Sequence, residues 1–189
     1  MRSFTIASSP TEEDFILIST RIRDTPFKKK LSSLDIGTSV NMTAPLGKFV
    51  IHEEYSKPAV FLSGGIGVTP FRSMIKYATD KQLPLKITMF DSNRNQNNIL
   101  YKMEFDEYAN LNRNLKIVYT LDESNNDWKG ERGYINQAMV TKYLSANELD
   151  DSMFYICGPP GMLKAMQKLL QDDLHIPKQK IKIEEFTGY

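Results

Sequence analysis

The sequence predicts an α/β protein: a doubly wound parallel sheet over residues 56–189, preceded by a partial antiparallel β-barrel over residues 1–55. Three observations carry that expectation. From about residue 57, short continuous apolar runs alternate with stretches of helical periodicity, the pattern of parallel strands joined by crossover helices. Two of those runs end in glycine and are followed by helices with proline in the first turn. Before residue 55, apolar and polar residues alternate instead, as in strands with one wet face.

Taken in order, the front offers strand-like segments at Phe15-Ile16-Leu17-Ile18-Ser19 and Val40-Asn41-Met42, with a short helix near Phe27–Leu31. Three or four such strands cannot close a barrel, so they leave an edge or half a core open. Charged and turn-forming residues at Glu53–Pro58 mark the boundary. Ala59–Leu62 then reads as a central parallel strand buried on both faces. Further strands are expected at Leu85–Phe90, Leu115–Tyr119, Met153–Cys157 and Lys180–Ile183. Helices fit between them at Pro70–Tyr77, around Tyr101–Tyr108, at Ile135–Leu144 and at Pro160–Leu170.

Composition narrows the function classes. The 189 residues suffice for one full domain and part of a second. With 24 basic and 23 acidic residues, no global field favours nucleic acid or an anionic membrane. Cys157 is the only cysteine, which excludes an intrachain disulfide or a thiolate-held cluster and fits a reducing, cytoplasmic location. His52 and His175 are far apart in sequence, so no metal is expected. No apolar stretch reaches the ~20 residues of a membrane span.

The chemistry concentrates at strand ends. In Ser63-Gly64-Gly65-Ile66-Gly67-Val68-Thr69-Pro70, glycines let the backbone turn tightly, Thr69 is placed to cap a helix and Pro70 suits its first turn. Free amides at such a helix start favour a pyrophosphate, although a glycine turn without a ligand reads the same way. A second turn, Tyr155-Ile156-Cys157-Gly158-Pro159-Pro160-Gly161, ends another strand. In a parallel sheet both turns share the carboxyl edge, where α/β ligands bind. A third region follows the second and third strands. There Arg94 suits a 2′-phosphate, whereas Asp91 or Asp122 suits a free ribose diol, and Ser92 lies beside them.

These motifs resemble the NAD(P)-binding half of the ferredoxin–NADP reductase superfamily, in which a flavin-binding barrel comes first. The Gly-Gly-x-Gly-x-Thr-Pro turn, the Cys-Gly-Pro-Pro turn and the terminal Glu184-Glu185-Phe186 fall in the family's order and spacing. At the front, Arg2-Ser3-Phe4-Thr5 is similar to the Arg-x-Tyr-Ser flavin motif, and Ala44-Pro45-Leu46-Gly47-Lys48-Phe49 to the Gly-Pro-x-Gly-x-Phe turn. The resemblance implies that Arg2 pairs with the FAD pyrophosphate, Phe4 packs on the isoalloxazine ring and Thr5 bonds near its N5. Thr25-Pro26-Phe27-Lys28 resembles the pyrophosphate-contacting helix start, and Phe186 the terminal aromatic over the other flavin face, with Tyr189 a further candidate. It places Gly64, Gly65, Gly67, Thr69, Pro70, Gly158 and Pro159 around the nicotinamide dinucleotide, with Cys157 and Glu184 lining the nicotinamide side. Thr120-Leu121-Asp122 followed by Trp128 looks like NADH-using relatives of the cytochrome b5 reductase type, which inclines the choice towards NADH over NADPH.

The reaction so implied passes a hydride from NAD(P)H to FAD N5, after which electrons leave singly for a protein acceptor; the reverse direction uses the same site. Lys28-Lys29-Lys30 would suit an acidic carrier such as a ferredoxin, or simply a solvated helix face. Family barrels place several strands before the Arg-x-Tyr-Ser-like motif, which here begins at residue 2. About half of a flavin domain is therefore expected to be lacking, to be completed by a second subunit or by self-association. The alternative is a partner-dependent nicotinamide-binding or electron-transfer subunit, or a fragment, without stable FAD. A flavin-free dehydrogenase finds no general acid–base His or Tyr–Lys pair beside the glycine turn.

Overall fold

The computed structural model describes residues 2–185. Six strands form one all-parallel sheet: β1 (Ala59–Gly64), β2 (Ile87–Asn93), β3 (Leu115–Leu121), β4 (Glu131–Arg132), β5 (Met153–Gly158) and β6 (Ile181–Glu185). Their order is β4-β3-β2-β1-β5-β6. The chain thus winds outward from β1 on one side and then returns to its other side with β5. Ligand crevices of open α/β sheets lie beyond the carboxyl ends of strands at such a reversal, here between β1 and β5.

Helices α1 (Pro26–Ser32), α2 (Thr69–Asp80), α3 (Lys102–Leu111), α4 (Gln137–Tyr143), α5 (Ala146–Asp151) and α6 (Pro160–Lys168) complete the regular structure. Because strand side chains alternate between faces, β1 divides its apolar residues between two cores. Phe61 joins Phe71, Ile75, Met89, Phe105 and Tyr155 on the α2/α3 side. Val60 and Leu62 join Phe90, Val140, Ile156 and Leu163 on the α4/α6 side. Helical cover on both faces explains why β1 is buried throughout and β2 everywhere but Ser92. Phe61 stacks on Phe71 at 4.6 Å between centroids and meets Tyr155 edge-on at 5.3 Å.

The expected strands and helices of this half are all present with ends shifted by a few residues, and two short elements are added. Strand β4 is only two residues long, too short for a periodicity signal. Helix α5 is set by a capping box in which Ser145 and Glu148 satisfy each other's backbone amides.

The front departs from the antiparallel strands read from its pattern. Among the described residues before Pro58, regular structure comprises α1, which matches the expected short helix, and one antiparallel bridge, Ile6–Ile18. The segment 15–19 contributes only that bridge, and 40–42 pairs with nothing, leaving Phe15, Val40 and Met42 more than half exposed. Alternation supplies a face, but a strand also needs a neighbour for its backbone groups, and none runs beside 40–42 among the described residues.

Polar contacts fasten the front to the sheet unit. The buried Arg72 guanidinium on α2 donates to the Ala7 carbonyl at 2.9 Å, to both Glu12 carboxylate oxygens at 2.9 and 3.1 Å, and from Nε to Glu104 at 2.9 Å. Burial alone would pull this guanidinium down, yet the Glu12 and Glu104 carboxylates outweigh it and raise its pKa; in return, Arg72 holds Glu12 below the usual carboxylate range. On the other flank Tyr155 on β5 bonds to His52. Nε2 of His52 lies 2.8 Å from the Lys57 carbonyl and so must carry the proton, which leaves Nδ1 to accept from the Tyr155 hydroxyl at 2.8 Å while the His52 amide donates to that hydroxyl at 2.9 Å.

Candidate functional site

Strand β1 runs out at Gly64, the chain makes a 3₁₀ turn over Gly65–Val68, and α2 begins at Thr69. The glycines have two separate causes. A Cβ on Gly67 would stand 2.2 Å from the Cys157 carbonyl oxygen and 2.7 Å from the Gly158 Cα. One on Gly64 would stand 2.1 Å from Met162 Sδ, and one on Gly158 2.8 Å from the same sulfur. Gly67 thus lets the turns after β1 and β5 lie backbone against backbone, while Gly64 and Gly158 leave room for the Met162 side chain between them. Gly65 differs: its φ of +54° is left-handed, and the position a Cβ would take is 3.4 Å from the Arg21 guanidinium.

The cap expected of Thr69 is not made. Val68 already has helical dihedrals, so Thr69 is the first helical residue and its hydroxyl points back to donate to the Ile66 carbonyl at 3.1 Å. An N-cap must precede the helix with extended dihedrals, a position the 3₁₀ turn removes. Pro70 follows in the first turn as expected. On β5, Pro159 is the extended residue before α6, with Pro160 inside it.

Cys157 and Glu184 are register partners on β5 and β6. Cys157 is fully buried, and burial, aided by the Glu184 charge, pushes its thiol far up. Burial likewise raises the Glu184 carboxyl. A thiol in that state is a packing group, not a nucleophile.

The chains leaving β2 and β3 stay stitched together. The Asp122 amide donates to the Asn93 carbonyl at 3.1 Å and the Glu123 amide to the Arg94 carbonyl at 2.7 Å. Arg94 Nε in turn donates to Glu123 Oε1 at 2.8 Å. Burial raises the Asp122 carboxyl, the Tyr134 hydroxyl opposes that, and Glu123 adds to it. A hollow of about 250 Å³ lined by Asn95, Gln96, Asn97, Leu121, Glu123 and Asn125 opens beside this pair. Ser92, half-buried, lies one residue before the end of β2, opposite Gly64.

Residues 61–168 match the family described as "Oxidoreductase NAD-binding domain". The chain belongs to the oxidoreductase NAD-binding domain family. Within the ferredoxin–NADP reductase superfamily it covers the NAD-binding half. It is 27% identical over 206 residues to a subunit of the Na(+)-translocating NADH-quinone reductase of Idiomarina loihiensis, aligning along all of this chain and 49% of that one. The chain thus spans about half the length of the curated relatives it matches. Among solved structures, the cytochrome b5 reductase domain of Ulva prolifera nitrate reductase superposes with a TM-score of 0.83 at 22% identity, over 98% of this chain and 76% of that one. A mutant ferredoxin–NADP+ reductase from Plasmodium falciparum gives 0.75 at 17% identity, over 97% and 76%. At those identities the two structures establish the fold.

In this oxidoreductase NAD-binding domain the flavin-side candidates are only partly gathered. Phe4 stacks on Phe27 at 5.9 Å between centroids, and the Lys28 ammonium lies 5.2 Å from the Phe4 centroid. Thr25 caps α1 by accepting from the Lys28 amide at 3.3 Å. Thr5 is half-buried, Arg2 is exposed, and Gly47, with φ of +100°, has nothing within 4 Å of its Cβ position. Phe186 and Tyr189 lie outside the described residues.

One reading of the nucleotide region is corrected. Asp91 is 1% exposed and faces inward, so it cannot reach a ribose; position 91 falls on an inward-facing place of β2. Its Oδ2 accepts from Asn93 Nδ2 at 2.8 Å, while Asp91 Oδ1, Ser63 Oγ and Asn93 Oδ1 are buried without a partner. The Ser63 hydroxyl is near enough to pull on the carboxyl without a well-formed bond. Burial dominates and pushes Asp91 up to about 7. Arg21, beside Gly65, is a site residue not picked out from the sequence; the available signal was a cation closing the apolar run Phe15–Ile18.

Proposed function

We propose that the chain is the nicotinamide-dinucleotide-binding part of a flavin-dependent reductase, with residues 1–55 forming part of an FAD-binding domain and 56–189 the NAD(P)-binding domain. The observation that carries this reading is the close meeting of the two glycine turns at the β1/β5 reversal, where Gly67 lies against the Cys157–Gly158 backbone and Gly64 and Gly158 meet the Met162 side chain. There the amides of Gly65–Val68 and the Arg21 guanidinium would receive the dinucleotide pyrophosphate.

The residues present also fit a flavin in kind. Phe4 and Phe27 offer an aromatic surface, and Arg2 and Lys28 offer cations for its phosphates. Thr25 and Gly47 belong to the segments that would surround them, Thr5 would bond near the ring, and Phe186 would cover it. When bound, the pair of cofactors supplies hydride transfer. The chain's own part is placement: Ser92, Thr69, Pro70 and Pro159 shape the crevice, and buried Cys157 with Glu184 closes the nicotinamide side against water. Asp122 accepts from the ribose diol, which supports NADH as the preferred donor.

A second reading, a subunit that acts only in an assembly, is favoured by the apolar surface of the front. Phe15, Ile16, Ile22, Val40, Met42, Leu46 and Val50 are half or more exposed. Such surface suits cover by another subunit or a second copy. The relatives are named as subunits of an NADH-quinone reductase, which supports this assembly. An acidic electron carrier, ferredoxin-like or otherwise, would meet the Lys28–Lys30 face, where Lys29 pairs with Asp24 at 2.5 Å. The single free, buried cysteine supports a cytoplasmic setting.

The test is a visible spectrum of the purified chain with and without added FAD, followed by anaerobic titration with NADH and with NADPH. Flavin absorbance that bleaches with NADH first supports the reductase reading. Dinucleotide binding without flavin binding supports the partner-dependent subunit, and binding of neither defeats both.

A further inference from the structure

We propose that the outer edge of β3, below the short strand β4, docks an extended acidic peptide segment of another protein, which adds a strand to the sheet there. The proposal does not rest on the dinucleotide reading. Strand β4 has two residues and pairs with only Thr120 and Leu121 of β3. Because β3 begins at Leu115, most of it has β2 on one side and no strand on the other. In a parallel ladder alternate residues turn their amide and carbonyl groups to a given neighbour. The Ile87 amide takes the Asn114 carbonyl at 2.8 Å, which turns Asn114, Lys116 and Val118 towards β2. On the opposite side the Gly133 amide takes the Leu121 carbonyl at 2.8 Å. Ile117 therefore points its amide and carbonyl outward, at a level where no strand lies beside it among the described residues. Extended backbone is what completes such an edge.

The chain leaves room for it. It reaches β4 from a turn in which the Trp128 amide bonds to the Asn125 carbonyl at 3.3 Å. The indole folds back, its Nε1 donating to the Glu131 carbonyl at 2.8 Å, and a Cβ on Gly130 would stand 2.5 Å from its ring. A hollow of about 390 Å³ results at the edge, lined among others by Ile117, Tyr119, Trp128, Lys129 and Tyr143. Charge selects the occupant. Lys102 and Lys142 are neutralised in place by Asp106 and Glu131, each at 2.5 Å. Lys116 instead lies with Nζ 5.0 Å from the Tyr143 ring centroid, and neither it nor exposed Lys129 has an ion pair among the described residues. Against these two lysines stands the exposed Asp127. A second copy of this chain would bring the same lysines together along one short edge, where like charges repel, whereas an acidic strand is attracted.

Trp128 is the only tryptophan and lines the hollow, so its emission reports occupancy. The full chain is titrated at low ionic strength with a capped hexapeptide of alternating glutamate and valine. A saturable shift of the emission is expected, absent with the lysine–valine hexapeptide. It should also be lost when the acidic peptide is N-methylated throughout, which keeps its charge and removes its amide donors. Lys116→Glu on the strand and Lys129→Glu on the loop should each weaken binding roughly tenfold, with circular dichroism confirming that the variants fold. The proposal is overturned if the acidic peptide gives no saturable shift, if the N-methylated peptide binds as tightly as its parent, or if the folded variants bind within about twofold of wild type. A shift that follows protein concentration without peptide, with a dimer in sedimentation, also overturns it and gives the edge to a second copy.

Discussion

Replacing Asp91 with asparagine tests the buried polar cluster under the second strand end. Burial lifts the folded-state carboxyl from 3.8 to about 7, so between these values the folded protein holds a proton that the unfolded chain has released. Below pH ~3.8 both states are protonated and the site costs nothing on this account. As pH rises through the window, stability falls by up to about 1.4 kcal/mol per unit, then levels off above pH ~7 with a ceiling of about 4 kcal/mol. Asparagine cannot titrate, keeps an oxygen for Asn93 Nδ2, and offers a donor to the unpartnered Ser63 hydroxyl. Urea unfolding of both proteins at several pH values should therefore show the variant gaining about 2–3 kcal/mol over wild type between pH 5 and pH 8. His52, whose pKa burial lowers, works in the opposite sense, gaining stability as pH rises, and cancels because it is common to both proteins. A difference that stays flat, or one that favours wild type as pH rises, would refute the assignment of Asp91 as a carboxyl kept neutral by burial.

Other substitutions probe the remaining joints. Gly67→Ala should cost about 1–3 kcal/mol in urea unfolding and weaken dinucleotide binding, since its Cβ would lie 2.2 Å from a backbone oxygen with no flexible neighbour to yield. Gly161→Ala, where a Cβ meets nothing within 4 Å inside α6, should instead stabilise by up to about 1 kcal/mol in the same assay. Arg72→Met should cost about 3–5 kcal/mol by leaving Glu12 and Glu104 without their cation, and adding Glu12→Gln should recover part of that loss. Tyr155→Phe keeps the ring packing and loses the hydroxyl between two His52 atoms, with an expected cost of about 1–2 kcal/mol and faster hydrogen exchange at the His52 amide.

The centre of the parallel sheet was legible because β1 and β5 are buried almost throughout, so burial writes a continuous apolar run into each. Ala59–Leu62 and Met153–Cys157 need no partner beyond the chain itself to be read correctly. The front obeys a different rule. Alternation at Phe15–Ser19 and Val40–Met42 reports which residues an environment would bury, and neither segment has that environment among the described residues. Within the site, the two glycine turns were visible as motifs, but the reason for Gly64 and Gly67 was not. Gly67 is set by the backbone of Cys157 and Gly158, and Gly64 by the Met162 sulfur, contacts far along the chain that no local pattern encodes. The same holds for Asp91, whose polar identity suggested a ligand contact until its inward-facing position on β2 was known.

The way the front is attached bears on the partner-dependent reading proposed above. Its attachment to the sheet unit has aromatic packing, as where Phe49 meets Phe71 and Tyr155, but is directed by hydrogen bonds: Arg72 with Ala7 and Glu12, Ser73 with Ser8, and Tyr155 with His52. Such bonds fix orientation, and each contributes modestly beside the burial of apolar surface. Other apolar residues of the front lie outside this attachment, since Phe15, Ile16, Val40 and Leu46 are exposed while Phe49, Ile51 and Tyr55 pack on the sheet's core. On the partner-dependent reading proposed above, a segment fixed by directed polar contacts that leaves Phe15, Ile16, Val40 and Leu46 in water is the surface a second subunit or a second copy would cover, and mixing with such a partner should lower the exposure of those four side chains.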